Sequence, residues 1–249
     1  DVSNTNVADI SVVSHMSKLT LLRADNSDIQ NLAALTDLPA LQSVYVDETA
    51  IDNTLVQEFL QKRPSCLVVY KTNTLEQWWD GLPDGWKQVF QTQVPIRPKS
   101  RKEDLHRLIE LETIHFKDAP VSELTSLGPF VRIKVLDFSG TSISDLSPLS
   151  AIKSLTSLHA TNSPIRELAP LSSVTTLEDL DISNTPVEDL RPIRPLENLK
   201  VFNCSGTQVS SLTAVEQLFL ESIDFSNTSV KNMDALFGMP LKTLKCYNT

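Results

Sequence analysis

Residues 177–198 read LEDLDISNTPVEDLRPIRPLEN, and residues 199–219 repeat the pattern as LKVFNCSGTQVSSLTAVEQLF. Aligned on their first leucines, the two stretches carry apolar residues at positions 1, 4, 6, 11, 14 and 17. The same template opens at Leu111, Ile133, Leu155, Leu220 and Leu241, so the spacing is always 22 or 21 residues. Positions 4 and 6 alternate, which is strand periodicity. Positions 11, 14 and 17 are three apart, which suits short 3₁₀ turns better than a full helix. Proline at position 16 (Pro148, Pro170, Pro192) also argues against long helices there. A unit this small cannot bury its own apolar face, so copies must stack with their strands in one parallel sheet.

The template also fits the beginning of the chain. Leu19 and Leu41 open copies, and Asp1 falls at position 5 of a copy lacking its first residues. Thr249 falls at position 9 of another. The expectation is that further chain lies beyond both ends. Between about Asn53 and Glu110 the rhythm fails. Thr54-x-x-Gln57 reads as a capping box opening a helix with Val56, Phe59 and Leu60 on one face, stopped by Pro64. Residues 66–70 then read as a closing strand. Thr74-x-x-Gln77, Pro83 and Ser100-x-x-Glu103 each mark the start of a further short helix, the last with Leu105, Leu108 and Ile109 inward. The organisation expected is a first array with its closing cap over 1–71, a Trp-rich helical cap over 72–110, and a second array over 111–249.

This pattern resembles the leucine-rich-repeat family, and within it the bacterial internalin-like subclass. The likeness rests on the 22-residue units and the turn Asp145-Leu146-Ser147-Pro148-Leu149, and it covers about 1–52 and 111–249. The usual asparagine at position 9 is replaced by Thr or Ser (Thr5, Ser27, Thr49, Thr141, Ser163, Thr185, Thr207, Thr228), or by Ala119. A hydroxyl there can still bond backbone groups of the turn. The fold class implied is an α/β right-handed solenoid, with a parallel β-sheet on the concave face, short 3₁₀ or irregular turns on the convex face, and helical caps in the middle. The resemblance further implies protein binding through the concave sheet, and an extracellular or bacterial cell-surface setting.

Composition narrows the function classes. The chain has 249 residues, 41% of them hydrophobic, and its net charge is −9. An acidic balance argues against a nucleic-acid surface, which rests on clustered Lys and Arg. No apolar run is long enough to span a membrane, so no membrane insertion is expected. Cys66, Cys204 and Cys246 match no zinc spacing and read as free core thiols. No phosphate loop, dinucleotide fingerprint, nucleophile elbow or zincin sequence appears. A non-enzymatic module without cofactor or metal is therefore expected.

Strand alternation puts positions 3, 5 and 7 on the concave face. Column 5 of the second array reads His115, Asp137, His159, Asp181, Asn203, Asp224 and Lys245, with Asp179 beside it in column 3. The first array offers Arg23, Asp25, Tyr45 and Asp47. Cross-strand charge pairing explains such a ladder, and a partner-binding patch is the functional alternative. A metal site would need ligands converging on one point, which a flat ladder does not supply. Trp78, Trp79 and Trp86 read chiefly as a hydrophobic plug, with an aromatic patch of Trp78 and Trp79 as the alternative. His15 and His106 read as surface residues. The partner expected is a protein; a structural spacer within a larger protein is the competing reading.

Overall fold

The computed structural model describes residues 1–249, the side chain of Ser100 excepted, so its expected capping role lies outside the described residues. The chain divides into two compact units. One comprises Asp1–Leu82 with Val94–Leu108, the other Pro83–Gln93 with Ile109–Thr249.

The first unit carries a three-stranded parallel sheet of β1 (Leu21–Arg23), β2 (Ser43–Tyr45) and β3 (Leu67–Val69), in chain order. Its helices are α1 (Asn53–Lys62), α2 (Thr72–Gly81) and nearly all of α4 (Arg101–Ile109). The second unit begins with α3 (Asp84–Gln93). A seven-stranded parallel sheet follows: β4 (Thr113–His115), β5 (Val135–Asp137), β6 (Ser157–His159), β7 (Asp179–Asp181), β8 (Val201–Asn203), β9 (Ser222–Asp224) and β10 (Thr243–Lys245). Each strand occupies positions 3 to 5 of its copy. Equivalent positions pair, as Leu158 with Leu180 and Leu180 with Phe202.

One complete layer shows how the sequence builds the solenoid. Leu177, Leu180, Ile182, Val187, Leu190, Ile193 and Leu196 are all buried. The return stroke is a 3₁₀ turn with proline in its first turn, as in Ser147–Ala151, Ala169–Ser173 and Arg191–Ile193. Proline is tolerated there because its missing N–H would have had no intrahelical partner.

The bend out of each strand has its own chemistry. Position 8 lies in the left-handed region at Asn4, Asn26, Glu48, Asp118, Gly140, Asn162, Asn184, Gly206, Asn227 and Asn248. Asn, Asp and Gly are the residues that bear this conformation most easily. One step later the position 9 hydroxyl donates to the position 6 carbonyl in most copies, while Ser163 turns to Thr161 O and Phe138 O instead. Thr185 bonds Ile182 O at 2.7 Å, Thr207 bonds Cys204 O at 2.6 Å, and Ser27 bonds Ala24 O at 2.6 Å. The hydroxyl thus takes over the turn bonding expected of it. Meanwhile the position 8 N–H reaches the position 7 carbonyl of the next copy, as Asn184 to Ser205 O at 2.8 Å and Gly206 to Ser226 O at 2.8 Å.

Helix α3 seals its unit with rings. Trp86 lies 5.1 Å from Phe90 and 4.9 Å from Phe116, and Phe90 stacks on Phe130 at 5.1 Å, centroid to centroid. A Cβ at Gly85 would meet the Pro120 carbonyl oxygen at 2.6 Å, so the helix backbone sits closer to that loop than alanine would permit.

Several sequence expectations need correction. Helix α1 is capped by Asp52, which accepts the Leu55 N–H at 3.0 Å, and not by Thr54. Helix α2 opens at Thr72 after a left-handed Lys71, so Thr74 lies inside it and caps nothing. His106 is buried at 1% exposure because α4 turns it inward, against the backbone just beyond β3. Trp79 is buried at 6% while Trp78 is half-buried, so the pair forms no open aromatic patch. Cys66 and Cys204 are buried free thiols as expected, and burial pushes them up to about 11 and about 12. Cys246 is only partly covered.

The bend can be tested at Gly206, whose φ is +68° and whose missing Cβ would fall 2.3 Å from Asn184 Oδ1. Gly206→Val should cost about 1–2 kcal/mol, lowering the melting temperature by roughly 2–8 °C. Gly206→Asn should cost less, since asparagine fills the equivalent bend in other copies. Thermal melts followed by circular dichroism check the order.

Candidate functional site

The two sheets present their outward positions very differently. On the first sheet α4 covers Tyr45 and Asp47, while Leu21 and Arg23 of β1 stay exposed. The Lys102 ammonium bonds the Asp47 carboxylate, lies 3.9 Å from Asp25 Oδ2, and sits 5.5 Å from the Tyr45 ring centroid. Tyr45 Oη donates to Glu103 Oε1 at 3.0 Å. The Arg23 guanidinium lies 4.3 Å from the Tyr45 centroid, a cation–π distance. His106 closes the far side: Tyr70 N–H donates to Nε2 at 3.1 Å, and Nδ1 lies 2.7 Å from Lys102 O. Leu105 and Leu108 are fully buried beneath.

Tyr45, expected to be an exposed partner-binding side chain, is therefore only 8% exposed. Alternation along the strand does aim it at the concave side, but α4 already lies there. Burial pushes the Tyr45 phenol up, and its bond to Glu103 pushes it further. Asp47 is buried as well. Burial raises its carboxyl, but Lys102 and the Thr72 N–H and hydroxyl (2.8 and 2.7 Å) outweigh that and hold it below its ordinary value of 3.8.

Among the described residues of the second sheet, no helix covers the equivalent columns. Asp137, Asp181, Asn203 and Asp224 each accept, through Oδ1, the N–H two residues on, from Ser139 (3.0 Å), Ser183 (2.9 Å), Ser205 (3.0 Å) and Ser226 (2.9 Å). Column 5 is thus partly structural, a role the sequence reading did not assign. Asn203 makes the same bond, so an amide serves as well as a carboxylate. The second oxygen is what can differ. Asp137 Oδ2 lies 4.0 Å from His115 Nδ1, Asp224 Oδ2 lies 3.9 Å from Lys245 Nζ, and Asp181 Oδ2 accepts from Asn203 Nδ2 at 3.0 Å.

Cross-strand pairing was expected to link His159 to its column 5 neighbours. The histidine turns instead to column 3, where Nε2 lies 3.1 Å from Asp179 Oδ2 and the Ser157 hydroxyl also approaches at 3.4 Å. His159, Asp179, Asp181, Asn203, Asp224 and Lys245 border one shallow depression of ≈ 280 Å³ around Val201. His115 lies apart from it, at the β4 end of the sheet. No group of three or more His, Cys, Asp or Glu among the described residues could hold a metal ion. No helix among them is long and apolar enough to cross a membrane.

Column 2 carries a second ladder that the sequence shows but the reading passed over. Lys134, Lys200 and Lys242 pair with Glu112, Glu178 and Glu221 of the preceding copy, at 2.8, 2.8 and 2.6 Å. Opposite charges one copy apart were the available signal. The pairs are solvent-exposed and add little stability each.

No family model and no curated protein matches the sequence. The fold does have solved likenesses. An internalin, InlF, of Listeria monocytogenes superposes with a TM-score of 0.56 at 20% identity, over 97% of this chain and 72% of its own. A plant ice-binding protein reaches 0.50 at 17% identity, over 57% and 50% of the two chains. A TDR receptor also reaches 0.50, at 15% identity, over 99% and 42%. At these identities the likeness is one of fold. The chain has the fold of a leucine-rich-repeat solenoid, shared over nearly its whole length with the internalin and with the TDR receptor.

The α4 clasp makes a pH-dependent prediction. Asp47 has a lowered carboxyl, so its contribution to stability is present above the ordinary carboxylate value and is lost as pH falls through the folded value. Asp47→Asn should destabilise the chain by about 1–3 kcal/mol at pH 7, as loss of hydrogen bonds to a charged group does. The difference from the native chain should shrink steadily below about pH 4. Urea unfolding of both proteins at pH 7 and pH 3 checks this.

Proposed function

We propose that this is a protein-binding module that engages its partner through the concave face of the seven-stranded sheet. The observation that supports the reading is the contrast between the sheets: α4 lies over Tyr45 and Asp47 of the first, leaving Leu21 and Arg23 of β1 exposed, while the second presents an open face with a depression around Val201. That face mixes fixed polar atoms with an exposed apolar side chain, Val201 being 40% exposed. Protein interfaces of moderate affinity combine these two elements. Column 5 acceptors are pinned by backbone N–H groups, so little side-chain freedom is lost on binding.

A bacterial secreted or cell-surface setting belongs to the same proposal. It is supported by the internalin-like repeat and by the solenoid shared with a Listeria internalin. The binding role calls for no catalytic step, and the shallow depression gives the His159–Asp179 pair no enclosed pocket in which to act.

Site-specific photocrosslinking in extract from the native source tests the surface. A benzophenone side chain at Val201 should yield one dominant protein adduct. The same probe at exposed Glu197, after the 3₁₀ turn and off the sheet, should not. Equal labelling from both positions would contradict the concave-face reading, and no adduct from either would favour the spacer.

A further inference from the structure

We propose that the concave face of the seven-stranded sheet takes an α-helical segment of its partner that presents a lysine or arginine. The proposal rests on the concave-face reading above and adds the chemistry of the occupant.

The first argument is a template within the molecule. Helix α4 shows what the concave side of this repeat accepts when a helix lies on it. Lys102 inserts its ammonium toward carboxylates from two successive copies, Asp25 and Asp47. Glu103 takes the hydroxyl of Tyr45, and His106, one helical turn beyond Lys102, meets the backbone at Tyr70. One face of one helix thus reads two neighbouring copies and the closing strand beside them. Residues four apart on a helix share a face, which makes this reading possible.

The second argument is charge complementarity. Outward columns 3, 5 and 7 of the second array carry four carboxylates, Asp137, Asp179, Asp181 and Asp224, against two ammoniums, Lys117 and Lys245, one at each end. Lys245 stands 3.9 Å from Asp224 Oδ2, beyond a direct hydrogen bond. Each of Asp137, Asp181 and Asp224 is held by a backbone N–H at one oxygen. The side chains are therefore oriented before a ligand arrives. Val201 supplies apolar contact beside Asp179 and Asp181, where the aliphatic part of a lysine or arginine side chain would lie. An anionic segment would instead meet carboxylates already close to one another.

The test uses the full chain and two fluorescein-labelled, alanine-based helical peptides. One carries lysines along a single face, and the other carries glutamates at the same positions. Fluorescence anisotropy should give at least tenfold tighter binding of the lysine peptide. The double variant Asp181→Asn/Asp224→Asn should weaken that binding about fivefold or more. It should melt only slightly below the native chain: asparagine keeps the bond to the position 7 N–H, as Asn203 shows, and gives up only the bond from Asn203 Nδ2 to position 181. A control, Glu188→Gln/Glu197→Gln, removes the same charge from exposed sites off the sheet and should leave binding unchanged. Equal binding of the two peptides, or equal weakening by the two double variants, overturns the proposal. A Val201 crosslink to a native partner alongside that failure would remove the basic helix and leave the concave-face reading standing.

Discussion

Every copy of the repeat depends on one bend, at positions 6 to 9, where the chain leaves its strand. The backbone must turn sharply, yet its N–H and C=O groups cannot be left unpaired in the interior. A left-handed residue at position 8 makes the turn, and in most copies the position 9 hydroxyl satisfies the position 6 carbonyl. Because the position 8 N–H simultaneously bonds the next copy, the same few residues set both the turn and the stacking. Ala119 lacks the hydroxyl and keeps only a backbone bond, its own N–H to Phe116 O at 3.2 Å. That copy is also the one against which α3 and its rings pack.

Once the bend recurs at a fixed interval, the rest of the architecture follows from stacking. Strands fall into register without offset, apolar columns become continuous, and outward columns become straight lines of side chains. A column of acceptors then arises from repetition alone. Its members can hold the local backbone and also face outward, as Asp137 and Asp224 do. On the proposed binding role, structure and recognition would share residues on this face. A lysine in place of Asp181 would lose the acceptor of the Ser183 N–H, whereas an amide would keep it and lose only the bond from Asn203.

Much of this was legible in the sequence because each layer is local. Leu177, Leu180 and Ile182 lie within one copy, and their spacing states their burial directly. The position 8 bend was visible as Asn or Gly before Thr, but only backbone geometry reveals its left-handed conformation. The cover over the first sheet was not legible. Tyr45 obeys strand alternation and points outward, and nothing near it in sequence announces that Glu103 and Lys102 will occupy that side. His106 misled for the same reason, since its partner is the backbone at Tyr70, far away in the chain. The engagement of His159 with Asp179 depended on which diagonal neighbour the ring would choose, and register alone leaves that open.

One sheet is covered at Tyr45 and Asp47 by its own helix, while the other is open. Hydroxyl-radical footprinting of the native chain measures this directly through three side chains. Tyr45, covered by α4, should be modified far more slowly than Tyr247, which is 61% exposed, while His159 on the second sheet should react readily. Tyr45 reacting as fast as Tyr247, or His159 protected to the level of Tyr45, would contradict the account.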